Sequence, residues 1–316
     1  MRGILEFIVE RPVLAAVLGA LTIAGSAVLV SLADVPPTTA AFFRCAYALP
    51  PLALLAWYER RRYGPRAAGQ MRLAWFAGVF FAADLILWHH AINQVGAGLA
   101  TVLGNTQVVV VPLAAWLFLG ERPSPRVAIS VPVVLLGVIL ISGVVGADAF
   151  GANPLLGVIF GVATGLAYGG FILVQRGANA DIRRPAGPLF DATLSTAVVC
   201  LIVGIPLGEL ELVPSWPSHG WLLILALGIQ VCGWLLISIS LPRLPAAITS
   251  VVLTIQPVAS VLLGVWILSE APSAFQLVGV AFILAGLLLA TVRFRASRPS
   301  PTAPEMEPVR NDPPAG

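Results

Sequence analysis

The chain has 316 residues, 58% hydrophobic and only 10% charged, with a mean hydropathy of +0.93. Soluble domains carry about 25% charged residues, so this chain has too little polar surface for a water-facing fold, and lipid is its natural solvent. All 18 basic residues are arginine and sit mostly in short loops between apolar runs. The formal charge of +3 and the pI near 9.1 therefore mark membrane orientation rather than nucleic-acid binding.

A helix needs roughly 20 apolar residues to cross the hydrocarbon. Ten runs meet that length, at about 12–33, 38–57, 72–93, 97–119, 125–146, 154–175, 187–208, 220–240, 246–268 and 272–292. The first follows Arg11-Pro12, lacks a small-residue cleavage site, and is read as a retained helix. With the N-terminus inside, 17 of the 18 arginines fall on the inner side, and Asp34, Asp148, Glu209, Glu211 and Glu270 fall in outer loops. The expectation is an all-α protein of a cell (inner) membrane with both termini cytoplasmic. Residues 296–316 include six prolines and are expected to form a disordered cytoplasmic tail. Cys45, Cys200 and Cys232 lie inside apolar runs and read as small packing residues.

Polar side chains within these runs are the candidate functional groups. Span 2 carries Arg44. Span 3 carries "AADLILWHHAINQ" (82–94), where Asp84, Trp88 and Ala91 share a face within about 40° at helical spacing. A charge at that depth should face a wet cavity, be paired or be protonated, and Arg44 is the expected partner, either as a static lock or as a group that releases it. His89 and His90 point elsewhere on the wheel and are expected at the interface. One helix cannot aim Asp84 and both histidines at one metal, so no metal is expected. Span 4 places Asn105, Thr106 and Gln107 at mid-depth, and span 9 places Ser250, Thr254 and Gln256 there, as inter-helix glue or as a cavity lining. Pro112 and Pro257 free backbone carbonyls nearby. In span 6, Gly157, Gly161, Gly165 and Gly169 form a small-residue stripe for close packing or for sliding, beside Tyr168. Gln230 and Trp234 in span 8 form an aromatic and polar wall.

The segment "QVVVVPLAAWLFLGERPS" from Gln107 aligns with "QPVASVLLGVWILSEAPS" from Gln256. An offset of 149 pairs Glu121 with Glu270, Pro123 with Pro272, Ser124 with Ser273 and Gly137 with Gly286. Five spans make one unit, so the second copy enters the membrane from the opposite side. This is the inverted repeat of secondary transporters, whose sites lie at the midplane between halves. The units are 12–146 and 154–292.

The paired turns "LGERPSP" (119–125) and "LSEAPSA" (268–274), the glycines downstream of them, and "AINQVGAGLATVLGN" (91–105) resemble the EamA-type members of the drug/metabolite transporter superfamily. That resemblance implies ten helices in two halves and transport, usually export, of small organic metabolites. It fixes no substrate. The expected function is a secondary carrier of an amino acid or similar metabolite, working by alternating access with protons or exchange as the coupling. A multidrug exporter is the first alternative, and a channel or sensor an alternative of another class. No nucleotide-binding loop, H-E-x-x-H or G-x-S-x-G occurs, so neither ATP coupling nor enzymatic activity is expected, and no cofactor. A homodimer is compatible with the sequence and not required by it.

Overall fold

The structure, a computed structural model, describes residues 11–119, 122–146, 148–179, 181, 183–240, 244 and 246–291. Among these the chain is entirely helical. The segments are α1 (Pro12–Ala24), α2 (Ser26–Ala33), α3 (Pro37–Tyr63), α4 (Ala68–Val95), α5 (Ala97–Gly104), α6 (Gln107–Leu119), α7 (Pro125–Ile141), α8 (Pro154–Ala178), α9 (Ala186–Leu207), α10 (Ser218–Ser240), α11 (Ala246–Ile267) and α12 (Ala274–Thr291). Glu121, Arg243 and the tail 296–316 lie outside the described residues.

Among the described residues, seven stretches are long and apolar enough to cross a membrane: α1 with α2, then α3, α4, α8, α9, α10 and α12. Their outward faces carry exposed Leu54, Phe76, Leu173 and Ile202, apolar surface that only lipid covers without cost. Of the other three expected spans, 246–268 is carried by the 22-residue α11, and two are carried by shorter or interrupted pieces. The run 125–146 stays helical only to Ile141, in a 17-residue helix. The run 97–119 breaks after Gly104, and its cause is local. Asn105 Nδ2 donates to the Thr101 carbonyl at 2.8 Å, and Thr106 Oγ1 donates to the Leu103 carbonyl at 2.6 Å. These side chains compete for acceptors that a continuous helix would reserve for backbone N–H groups.

Helix starts follow ordinary capping chemistry. Ser124 accepts from the Val127 N–H ahead of Pro125, and Asn153 accepts from the Leu156 N–H ahead of Pro154; proline at the first position loses nothing there. Other starts are closed by distant carboxylates. Glu59 accepts from the N–H groups of Ala186 and Gly187 at 2.9 and 2.8 Å, closing α9. Glu270, 7% exposed, accepts from the N–H groups of Ala97 and Gly98, closing α5. Gly96 precedes that site with φ +88, and a Cβ there would meet Glu270 Oε1 at 2.8 Å. Both the backbone angle and the space therefore require glycine.

The helices pair closely through their glycines. α4 lies along α8, α7 along α12, α3 along α9, and α11 contacts α1 and α5. Along the α8 stripe, a Cβ on Gly157 would fall 2.5 Å from Val95, and one on Gly161 would fall 2.5 Å from Leu103. Gly137 and Gly279 face each other across α7 and α12, each with the other's carbonyl where its Cβ would go. In lipid, such contacts replace the hydrophobic effect as the cohesive term.

Two outcomes are expected. Gly161→Ala overpacks the α8–α5 seam and should destabilise the protein by about 1–3 kcal/mol, read as a lower Tm in detergent, whereas Gly69→Ala, with nothing within 4 Å of the added Cβ, should not. Burial raises the Glu270 carboxyl above its ordinary value of 4.5, against the pull of its two N–H donors. The folded protein thus holds that proton more tightly than the unfolded chain does. Its contribution is fully present below 4.5 and is lost as pH rises through the folded value. A Tm–pH profile of Glu270→Gln should lack that component of the fall.

Candidate functional site

Where α1, α3, α4, α5, α8, α10 and α11 converge, they leave a cavity that, with its mouth, encloses about 450 Å³ of atom-free space. α4 supplies Asp84 and Trp88, one turn apart, with Phe81 and Leu85. α3 supplies Arg44. The broken end of α5 supplies Thr101 and Gly104, followed by Asn105. α8 contributes Thr164 and Tyr168, α10 Trp234, and α11 Gln256. Seven of the nine candidate residues thus line one cavity: Arg44, Asp84, Trp88, Asn105, Tyr168, Trp234 and Gln256. Gln230 stands behind Arg44. Gln107 is not on the wall; it opens α6 where that helix meets Gly165 of α8.

The expected Arg44–Asp84 pair is not formed. Among the described residues, Asp84 has no hydrogen-bond or ion-pair partner, although it is only 6% exposed. Arg44, 3% exposed, donates from Nε to Gln230 Oε1 at 3.0 Å and lies 5.9 Å from the Phe81 ring centroid. Gln230 Nε2 in turn donates to Thr193 Oγ1 at 3.2 Å. A contact pair about 4 Å apart would gain roughly 4 kcal/mol at an effective dielectric of 20. The guanidinium is engaged by Gln230 instead.

The walls are aromatic and rigid. Phe81 stacks on Phe171 at 4.5 Å between ring centroids, and Trp234 meets both edge-on. Two donors in this lining have no protein partner: Trp234 Nε1 and Thr164 Oγ1 are buried and unsatisfied. Unpaired buried polar groups are rare in folded proteins and call for an explanation. A carboxylate, a guanidinium, an indole N–H and a hydroxyl around one space could together hold a small polar molecule with an apolar or aromatic body.

His89 is buried, 1% exposed; its Nδ1 lies 2.9 Å from the Pro37 carbonyl and ties α4 to the start of α3. The helix wheel ignores that neighbour, which arrives from 52 residues away. His90 does lie at a helix end, with Nε2 3.3 Å from Glu209 Oε1 and its ring stacked on Phe160. Among the described residues, no group of three potential ligands could hold a metal ion.

Thr164, Phe81 and Thr193 were not among the candidates. Thr164 lies beside Gly165 and three residues after Gly161, so the glycine stripe marked its face. Phe81 and Thr193 carry no signal distinguishing them from other apolar or small residues in a span.

With this geometry in hand, the chain can be compared with known proteins. The EamA-like transporter family matches it twice, over residues 11–143 and 155–292. The chain belongs to the EamA-like transporter family. It is similar to an uncharacterized transporter, YxxF, of Bacillus subtilis, with 23% identity over 68% of each chain. It is also similar to an uncharacterized transporter of Archaeoglobus fulgidus, with 25% identity over 60% of this chain and 65% of that one. A solved crystal structure shares the fold with a TM-score of 0.58 and 19% identity, covering 89% of this chain and 96% of the other. Membership makes this a multi-pass membrane transporter.

Thr164→Val removes an unsatisfied hydroxyl while keeping the side chain's shape. It should raise the Tm of the empty protein, by the equivalent of about 1–3 kcal/mol. An unchanged or lower Tm would mean the hydroxyl is already satisfied by bound water.

Proposed function

We propose that this protein is a secondary carrier that exports a small zwitterionic metabolite, an amino acid or a close relative, by alternating access. The observation that carries this reading is the cavity's pair of opposite, mutually unpaired charges. Asp84 offers a carboxylate and Arg44 a guanidinium, with aromatic side chains beside both. A cargo bearing an ammonium and a carboxylate meets both, and neither charge is then left unpaired in low dielectric. A proton on Asp84 competes with the cargo ammonium, which supplies a route to proton coupling.

The carrier reading includes ten spans in two inverted five-span halves, near 12–146 and 154–292, in the inner membrane with both termini cytoplasmic. Three observations support it. The family matches the two halves separately. The described arginines of the connections, such as Arg66, Arg183 and Arg184, meet at one end of the bundle, where Arg66 pairs with Asp191 and Arg184 reaches the carbonyl of Gly64. The helix contacts also repeat when each span is exchanged for its counterpart five spans on. The packing of α4 on α8 has its counterpart in that of α10 on α1, and the packing of α11 on α1 has its counterpart in that of α5 and α6 on α8.

The aromatic walls around Asp84 also favour a second cargo class, lipophilic cations, which need no Arg44. Proteoliposomes separate the two. Counterflow of radiolabelled amino acids that fails on Arg44→Gln supports the zwitterion. Efflux of an aromatic cation that survives Arg44→Gln and fails on Asp84→Asn supports the second class. For coupling, Asp84→Asn should abolish flux driven by a pH gradient while leaving exchange measurable; full gradient-driven flux in that variant removes Asp84 from the coupling step.

A further inference from the structure

We infer that Gln230 is a positioning residue that keeps the cavity's two charges apart and so holds Arg44 open toward cargo. Gln230 is fully buried, and both ends of its amide are engaged. Its oxygen accepts from Arg44 Nε, and its nitrogen donates to Thr193 Oγ1 on α9. Thr193 is itself fully buried. The amide is therefore oriented from behind, so its oxygen cannot turn away from Arg44 without orphaning its nitrogen. Only Nε of the guanidinium is used in this way. Among the described residues, Nε is the guanidinium nitrogen with a hydrogen bond to protein, and Arg44 lines the cavity.

The backbone around Gln230 is unusual. Residues Leu225–Gly233 of α10 form a π-helix of 9 residues, flanked by α-helical turns at Ser218–Ile224 and Trp234–Ser240. π-turns are rare, usually occur as single-turn bulges, and concentrate at functional sites. This one sets the direction in which Gln230 leaves the helix, and it packs against α3, the helix that bears Arg44. The amide supplies the acceptor that, among the described residues, opposes the attraction between Arg44 and Asp84 across the shared cavity. Without it the pair would close, and the cavity would lose both of its binding charges at once. Gln230 thus acts through Arg44 and needs no contact with cargo.

The consequence for transport rests on the carrier reading, but the positioning role is testable without any ligand. The experiment is a set of thermal-unfolding cycles on the purified full chain in detergent. Asp84→Asn is introduced into wild type and into Gln230→Met. In wild type it removes an unpaired carboxylate, so Tm should hold or rise. In Gln230→Met it breaks a newly formed pair, and Tm should fall by about 2–4 °C relative to Gln230→Met alone. The same response to Asp84→Asn in both backgrounds overturns the inference.

Gln230→Glu keeps an acceptor for Arg44 Nε and should restore the wild-type response; a response like that of Gln230→Met overturns the inference too. If Gln230→Met does not fold, Thr193→Val replaces it, removing only the second link of the relay. Coupling of the same sign there supports the role, and no coupling overturns it. Proteoliposome flux reads a different property: lost transport with intact coupling would remove the carrier reading and leave Gln230's role standing.

Discussion

A backbone N–H at the start of a helix has no acceptor within that helix, and in a slab of hydrocarbon water cannot supply one. Much of this architecture follows from how that need is met. Glu59, from the first half of the chain, closes the start of α9 in the second half. Glu270, from the second half, closes the start of α5 in the first. At the start of α3, Thr38 donates to the Glu209 carboxylate and Thr39 donates to the Glu209 carbonyl, again across the halves. The Glu59 and Glu270 contacts each do two jobs: they satisfy a helix end and fix where one half stands on the other. The threonine contacts do the second. Gln276 works similarly: it is fully buried, accepts from Phe150 N and Ser273 N, and donates to the Ile141 and Phe150 carbonyls.

The cavity is the converse of those ends. There, among the described residues, the fold leaves polar groups unmet: an indole N–H and a hydroxyl, beside a carboxylate with no ion-pair partner. Glycine-mediated packing of α8 and the stacked Phe81–Phe171 pair keep the walls from collapsing onto them. A protein selected only for stability would fill or pair these groups. Satisfied ends and an unsatisfied middle are what a carrier needs, because the ends define its states and the middle must gain something by holding cargo.

Sequence patterning revealed the long apolar spans, because a run of 20 apolar residues has few soluble uses. The glycine spacing of α8 was equally legible, since small residues four apart can serve only close approach. Asp84 and Trp88 could be placed on one face because that depends on helix geometry alone. The break after Gly104 was less visible; it arises from Asn105 and Thr106 side chains competing for nearby carbonyls, which apolar periodicity does not register. The Arg44–Asp84 expectation failed for a different reason. Depth and charge predicted attraction, but the competing acceptor, Gln230, comes from 186 residues away in sequence. Its partner Thr193 is one of many hydroxyls in apolar helices. The contact of His89 was hidden for the same reason, since its partner is a backbone carbonyl on another helix.

The chain contains no lysine, and the cation in its cavity is a guanidinium. Unlike an ammonium, a guanidinium does not give up its proton at biological pH, however deeply it is buried. The positive charge on the cavity wall is therefore a constant of the protein. In the proposed carrier, Asp84 is the group whose proton switches the empty cavity between neutral and one positive charge. The membrane potential as well as the pH gradient would then act on the step in which that cavity changes sides.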